Sequence, residues 1–183
     1  MKRSGVCAAA IALLMTSSTC YGQIDPKNVP KPPATELSKF DPFLGKYEVA
    51  GSFAKLPWAG TLEWKKVIKG WYVEQIILIK SAEIDREFWI LTTWDNAAHK
   101  YPAWGYQTMP ERLPSDAEVR FEGKDMITQW SSRRPDGSVS KLSNLYRFDT
   151  NGELGIWSYR QVENGPKEQI GFLKGKHIAG QTP

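Results

Sequence analysis

Trp58, Trp64, Trp71, Trp89, Trp94, Trp104, Trp130 and Trp157 make eight tryptophans in 183 residues, and seven tyrosines and seven phenylalanines join them. Large amphipathic rings either fill a core or line a pocket that holds an apolar or aromatic molecule. A close-packed interior cannot absorb eight indoles unless some face a cavity or a partner. Polar residues set among apolar neighbours would give such a pocket its specificity, because a buried polar group must find a partner. Gln75 shares an alternating face with Trp71, Val73, Ile77 and Ile79, Asn144 shares one with Leu142, Tyr146 and Phe148, and Gln161 shares one with Trp157 and Tyr159. Trp104 and Tyr106 alternate together on another segment, and Met126 and Trp130 on a third. The candidate ligand-binding residues are therefore Trp71, Gln75, Trp104, Tyr106, Trp130, Asn144, Tyr146, Trp157 and Tyr159. The competing role for the amides is to satisfy backbone groups at strand irregularities.

Side chains for bond-making chemistry are sparse. Glu74, Asp85, Arg86 and Glu87 lie nearest the apolar segments, but each reads as an exterior or strand-end charge, and no two carboxylates have a spacing that makes them meet. His99 falls in a polar turn near Asp95, and His177 falls beyond the last readable strand, beside Lys174, Gly175 and Lys176. Neither has the partners of a catalytic triad or a zinc site. The sequence assigns no catalytic residue, no metal ligand and no cofactor, and an enzyme is the less favoured class.

Lys2 and Arg3 precede an apolar run from Val6 to Met15, and a polar stretch leads to Cys20-Tyr21-Gly22-Gln23. This is the layout of a secretory signal peptide over 1–22, so the chain is expected to be exported, periplasmic or secreted. The alternative is a lipoprotein acylated at Cys20, although Ser17-Ser18-Thr19 lacks the leucine usual three places before such a cysteine. Both cysteines, Cys7 and Cys20, lie in the segment to be removed, which excludes disulfides and thiolate catalysis from a chain cut after Gly22. Cleavage removes two of 24 basic residues and none of 20 acidic ones, leaving a formal charge of +2. That balance makes no case for a nucleic-acid or membrane partner.

Residues 23–39 hold Pro26, Pro30, Pro32 and Pro33 and read as an extended arm, with one helical turn over Glu36 to Phe43 able to close the end of whatever follows. Ten short segments come next within a barrel domain over 40–177, before a tail at 178–183. They are Lys46 to Ala54, Thr61 to Val67, Trp71 to Lys80, Arg86 to Trp94, Lys100 to Gln107, Ala117 to Glu122, Asp125 to Ser132, Ser138 to Phe148, Glu153 to Val162 and Lys167 to Leu173. Most alternate with a period of two; Trp71 to Lys80 and Arg86 to Trp94 are apolar on both faces and so are expected to be covered on both. Turn signals such as Lys69-Gly70, Arg134-Pro135-Asp136-Gly137 and Asn151-Gly152 separate them. The connections are too short for helical crossovers, so the strands should pair in order. The expected fold is all-β, a single antiparallel up-and-down β-barrel of about ten strands with a short N-terminal arm. A two-sheet sandwich is the rival, and only the loop from Thr108 to Asp116 could supply its long connection.

Phe43-Leu44-Gly45-Lys46-Tyr47-Glu48-Val49 resembles the opening Leu-Gly-x-aromatic strand of the lipocalin-like calycins. Thr93-Trp94-Asp95 with Lys100-Tyr101 resembles the aromatic-Asp-turn-Lys-Tyr hairpin of a bacterial branch of that superfamily. The resemblance spans about Phe40 to Leu173, and it implies a barrel holding a small, mostly apolar molecule, as in fatty-acid-binding proteins and nitrobindins. It does not extend to the haem signature of the nitrobindins, because Gly45-Lys46-Tyr47-Glu48-Val49 lacks its tryptophan and second glycine. The expected function is noncovalent binding of a small apolar or aromatic molecule in the barrel. The alternatives are a secreted enzyme using the same cavity and a protein-binding or inhibitory module, with a homodimer formed through the doubly apolar strands.

Overall fold

In a computed structural model, residues 31–108, 117–133 and 137–178 are described. The signal peptide and Cys20, the arm as far as Pro30, residues 109–116, Arg134-Pro135-Asp136 and the tail beyond Ile178 lie outside the described residues.

The ten expected strands are present as β1 (Gly45–Phe53), β2 (Leu56–Val67), β3 (Tyr72–Lys80), β4 (Asp85–Thr92), β5 (Tyr101–Gln107), β6 (Glu118–Glu122), β7 (Asp125–Arg133), β8 (Val139–Phe148), β9 (Leu154–Val162) and β10 (Lys167–His177). Each pairs antiparallel with the next, and β10 returns to pair with β1, so the sheet is a closed up-and-down barrel. Closure removes the open edges that a sandwich would have to protect.

Register divides each strand into an inner and an outer face. Trp64, Gln75 and Ile90 are successive partners across β2, β3 and β4, and Leu62, Ile77 and Phe88 form the next row. These residues point inward, whereas Ile76, Leu78, Trp89 and Leu91 on the same doubly apolar strands point outward. The outer face of β3 and β4 is not covered as expected: Trp89 is 53% exposed and Leu78 41%.

One end of the barrel is sealed. A short helix, α1 (Ala34–Leu37), runs into a 3-10 turn over Ser38–Phe43, and Leu37, Phe40 and Phe43 are buried beneath it. The helical turn expected over Glu36 to Phe43 is thus present, beginning slightly earlier at Ala34, and its apolar residues close the barrel end. The ring of Phe40 meets Tyr101 at 5.5 Å and Phe121 at 4.9 Å, both edge to face, while Phe43 packs on Phe148 at 5.3 Å and Trp64 at 6.0 Å. Edge-to-face pairs add about 0.5–1.5 kcal/mol each beyond the area they bury. Polar contacts fix the plug in place: Tyr101 donates its hydroxyl to the Glu36 carboxylate, which also pairs with Lys39, and Asp41 pairs with Lys66 at the end of β2.

His177 is the last residue of β10, opposite Tyr47, rather than part of a tail beyond the strands. Its exposed ring stands edge-on to Tyr47 at 5.2 Å and covers Gly45. This explains the glycine of the Leu44-Gly45-Lys46-Tyr47 signature. Gly45 has φ +122°, and a Cβ there would lie 2.5 Å from the His177 Nε2. The seam between β5 and β6 is short, with Tyr101–Val119 and Pro102–Glu118 as its register pairs and one further bond from the Ala103 amide to Ala117.

Gly45→Ala is expected to cost about 1–3 kcal/mol, the usual scale for forcing a side chain into such a backbone conformation, and to lower the thermal midpoint accordingly. Hydrogen bonds from Lys39 and Tyr101 hold the Glu36 carboxyl below its ordinary pKa. Its stabilising effect is therefore full above the ordinary carboxylate range and is lost as pH falls through the depressed value. Tyr101→Phe removes one of those bonds, so acid unfolding followed by circular dichroism should begin at higher pH than in the parent protein.

Candidate functional site

With one end sealed, the unfilled interior among the described residues extends to the other, between the β1–β2 hairpin and the β3–β4 turn. The cavity has a volume of about 340 Å³. That lies within the range typical of small-molecule sites. On one side its wall is Phe53, Trp58, Ile77, Ile79, Phe88 and Ile90, and on the other Trp130, Leu142, Ile156 and Leu173. The alternation of each strand delivers these side chains inward, and their size leaves the centre of a ten-stranded barrel unfilled.

The deep part of the cavity is polar, and its order follows from three neighbouring strands. Asn144 on β8 is the register partner of Thr128 on β7 and of Ser158 on β9, so three hydrogen-bonding side chains form one row across the inner wall. The next row towards the plug is Met126, Tyr146 and Ile156. Ser158 donates to the Asn144 Oδ1 at 2.8 Å. Asn144 Nδ2 donates to the Tyr146 hydroxyl at 3.4 Å, and Gln75 Nε2 donates to the same oxygen at 3.2 Å from across the barrel. Complete burial pushes the Tyr146 phenol above its ordinary pKa, against hydrogen bonds from Gln75, Asn144 and Thr128 that favour the phenolate. The phenol stays neutral at physiological pH and acts as the hub of the network.

Of the nine residues expected from sequence, Trp130, Asn144 and Tyr146 line this cavity from inner positions, and Tyr159 contributes to it although alternation sets it on the outer face of β9. Gln75 is buried directly behind them and orients Tyr146. Trp71 lies in the β2–β3 turn at the sealed end, where its carbonyl accepts a bond from Thr93, so it is remote from the mouth. Trp104 and Tyr106 point outward, 50% and 62% exposed, because Ala103 and Gly105 occupy the inner face of β5. Trp157 also turns outward: Ile156 and Ser158 take the inner positions, and the indole folds over Gly155 and packs on Phe172 at 5.1 Å. Gln161, matched with them by alternation, donates instead to the Gly165 carbonyl in the β9–β10 turn.

Sequence reasoning missed Trp58, Thr128, Ser158 and Arg86 as wall residues. Arg86 was read as an exterior charge, but its register partner is the inward Ile79 and it lines the cavity. The other charges near it stay outside, with Glu74 paired to Lys65 and Asp85 to Lys80. Thr128, Asn144 and Ser158 carry a common signal, since all three are short polar residues at inward positions, but it emerges only once the strands are in register.

A second concavity of about 330 Å³ lies on the outer face of β7 to β9, where Gln129, Ser131, Lys141, Ser143 and Tyr159 contribute. It is polar and open, so it encloses a ligand less fully than the interior cavity does. Among the described residues no group of histidines, cysteines and carboxylates could hold a metal ion. No known protein-family model and no curated protein matches this chain.

Tyr146→Phe leaves the Gln75 and Asn144 amides without their shared acceptor. It should cost about 1–3 kcal/mol, the usual penalty for orphaning buried donors, measured by urea unfolding.

Proposed function

We propose that this chain is an exported, calycin-type binding protein that holds a small, mostly apolar molecule in its barrel, noncovalently, with the molecule entering at the open end. The observation that carries this reading is the cavity itself: an apolar wall ending on a row of satisfied but accessible polar groups, Thr128, Asn144 and Ser158. An interior meant only to be a core would be filled at its centre, and its polar groups would be fewer. The closed meander and the Leu44-Gly45-Lys46-Tyr47 opening are the support for calycin kinship. The charged and apolar run at Lys2 to Met15 is the support for export.

Trp130 lines the cavity, whereas Trp104 and Trp157 face outward. Trp130→Ala should weaken binding of an aromatic probe such as naphthol by about tenfold, the scale of one lost large apolar contact. Trp104→Ala and Trp157→Ala should leave it unchanged. Equal effects of all three, measured by equilibrium dialysis with folded variants, would count against a ligand inside the barrel.

A second reading rests on the outer face of β3 to β5, where Trp89, Trp104 and Tyr106 are more than half or about half exposed and adjacent in register. Such a patch suits self-association through this sheet face. Sedimentation velocity across a range of concentrations should then show a dimer that Trp89→Ser with Trp104→Ser abolishes.

A further inference from the structure

Arg86 is the one cation among the described residues that line the cavity, and it stands in the mouth rather than on the outer surface. Its Nε is buried with no hydrogen-bond partner, and its described contact is the face of the Trp58 indole, 5.9 Å from the guanidinium carbon. Its neighbours on β3, β4 and the turn between them are Ile79, Ile84 and Phe88, which offer nothing to a charge, and the polar side chain on the neighbouring strand is the neutral amide of Gln107, opposite Phe88. Among the described residues the one carboxylate at the cavity edge, Glu118, already accepts a bond from Gln129. A guanidinium has five donors in a fixed fork and is costly to bury without an acceptor, and a carboxylate matches that fork with two parallel bonds.

The deep end asks for different chemistry. Asn144 uses its oxygen for Ser158 and one amide hydrogen for Tyr146, which leaves a second amide hydrogen free, and the Ser158 oxygen retains lone pairs. A neutral hydroxyl or carbonyl satisfies both, while a second anion there would face no cation.

The distance between the two ends follows from register. Gln75, which donates to Tyr146, is opposite Ile90, and Arg86 lies four residues before Ile90 on the same inner face. Four residues of strand span about 13 Å, or roughly 10 Å along the axis of a barrel whose strands tilt about 40°. Resting on the binding function proposed above, we infer that the cavity recognises its ligand at both ends. The ligand class is an elongated amphiphile with a single anionic group bound by Arg86 at the mouth, an apolar body against Trp58, Trp130 and Phe88, and a neutral hydrogen-bonding group at the Asn144–Ser158 row, which lies one row nearer the mouth than Tyr146 and so within about 10 Å of Arg86 along the axis.

Three matched probes test this by isothermal titration calorimetry on the purified protein: omega-hydroxydecanoate, decanoate and decanediol. The hydroxy acid should bind about tenfold or more tightly than the diol and several-fold more tightly than decanoate. Arg86→Gln should erase the preference over the diol, Arg86→Lys should retain part of it, and Asn144→Val should erase the preference over decanoate. Thermal melts of each variant separate loss of selectivity from loss of fold. If the parent protein binds acid and diol equally, or if Arg86→Gln keeps the preference, the two-ended recognition is wrong although the cavity still binds. If none of the three probes binds, the cavity reading fails and this inference with it.

Discussion

Everything in this barrel depends on the aromatic plug at one end. Phe40 and Phe43, delivered by a 3-10 turn, wedge between Tyr101, Phe121, Trp64 and Phe148, so the rings that could have filled the centre are spent on sealing the base. A ring of ten strands encloses more volume than its inward side chains can occupy. The plug decides where the remaining space goes. It closes one end, orients the cavity towards the other, and places the polar row at its deep end next to the buried rings of the base. The Glu36 carboxylate, shared between Lys39 and Tyr101, ties the helical segment to β5 and so ties the plug to the wall.

The inner surface then reads as a gradient. At the base, buried rings and Tyr146 give a rigid frame. Above them Ser158 holds Asn144, and Asn144 and Thr128 bond to Tyr146, while valences stay free, so a ligand meets groups already oriented and loses little to ordering them. Near the mouth the wall is aromatic, and Arg86 lies against Trp58. The outer surface is divided too: β3 to β5 present indoles and a phenol to solvent, whereas the outer faces of β7 to β9 carry amides, hydroxyls and lysine. Those two surfaces have the chemistry of contact with other molecules rather than of a core.

The ten strands and their order were legible in the sequence because the signals involved are local. A period of two marks a strand, and a turn residue marks its end; at Asp149 to Glu153, for example, the aspartate side chain accepts bonds from the amides of Asn151 and Glu153, and Gly152 supplies φ +77°. Which face turns inward was not legible wherever both faces were apolar. Trp104 and Tyr106 looked like a pocket face because they are large, but the small residues Ala103 and Gly105 hold the inside of β5. Trp157 misled in the same way. Arg86 looked exterior because arginine usually is, and its true position depends on the pairing of β4 with β3. The row Thr128–Asn144–Ser158 is likewise a property of register across three strands, of which the sequence displayed only the middle member as notable.

The most direct measurement of the central claim is native mass spectrometry of the protein purified without detergent from the compartment that holds it. A bound small molecule should appear as a single discrete added mass, and its fragments should show an apolar body with one acidic group. A barrel that arrives empty, and stays empty when incubated with a mixture of apolar acids, alcohols and aromatic compounds, would contradict the account.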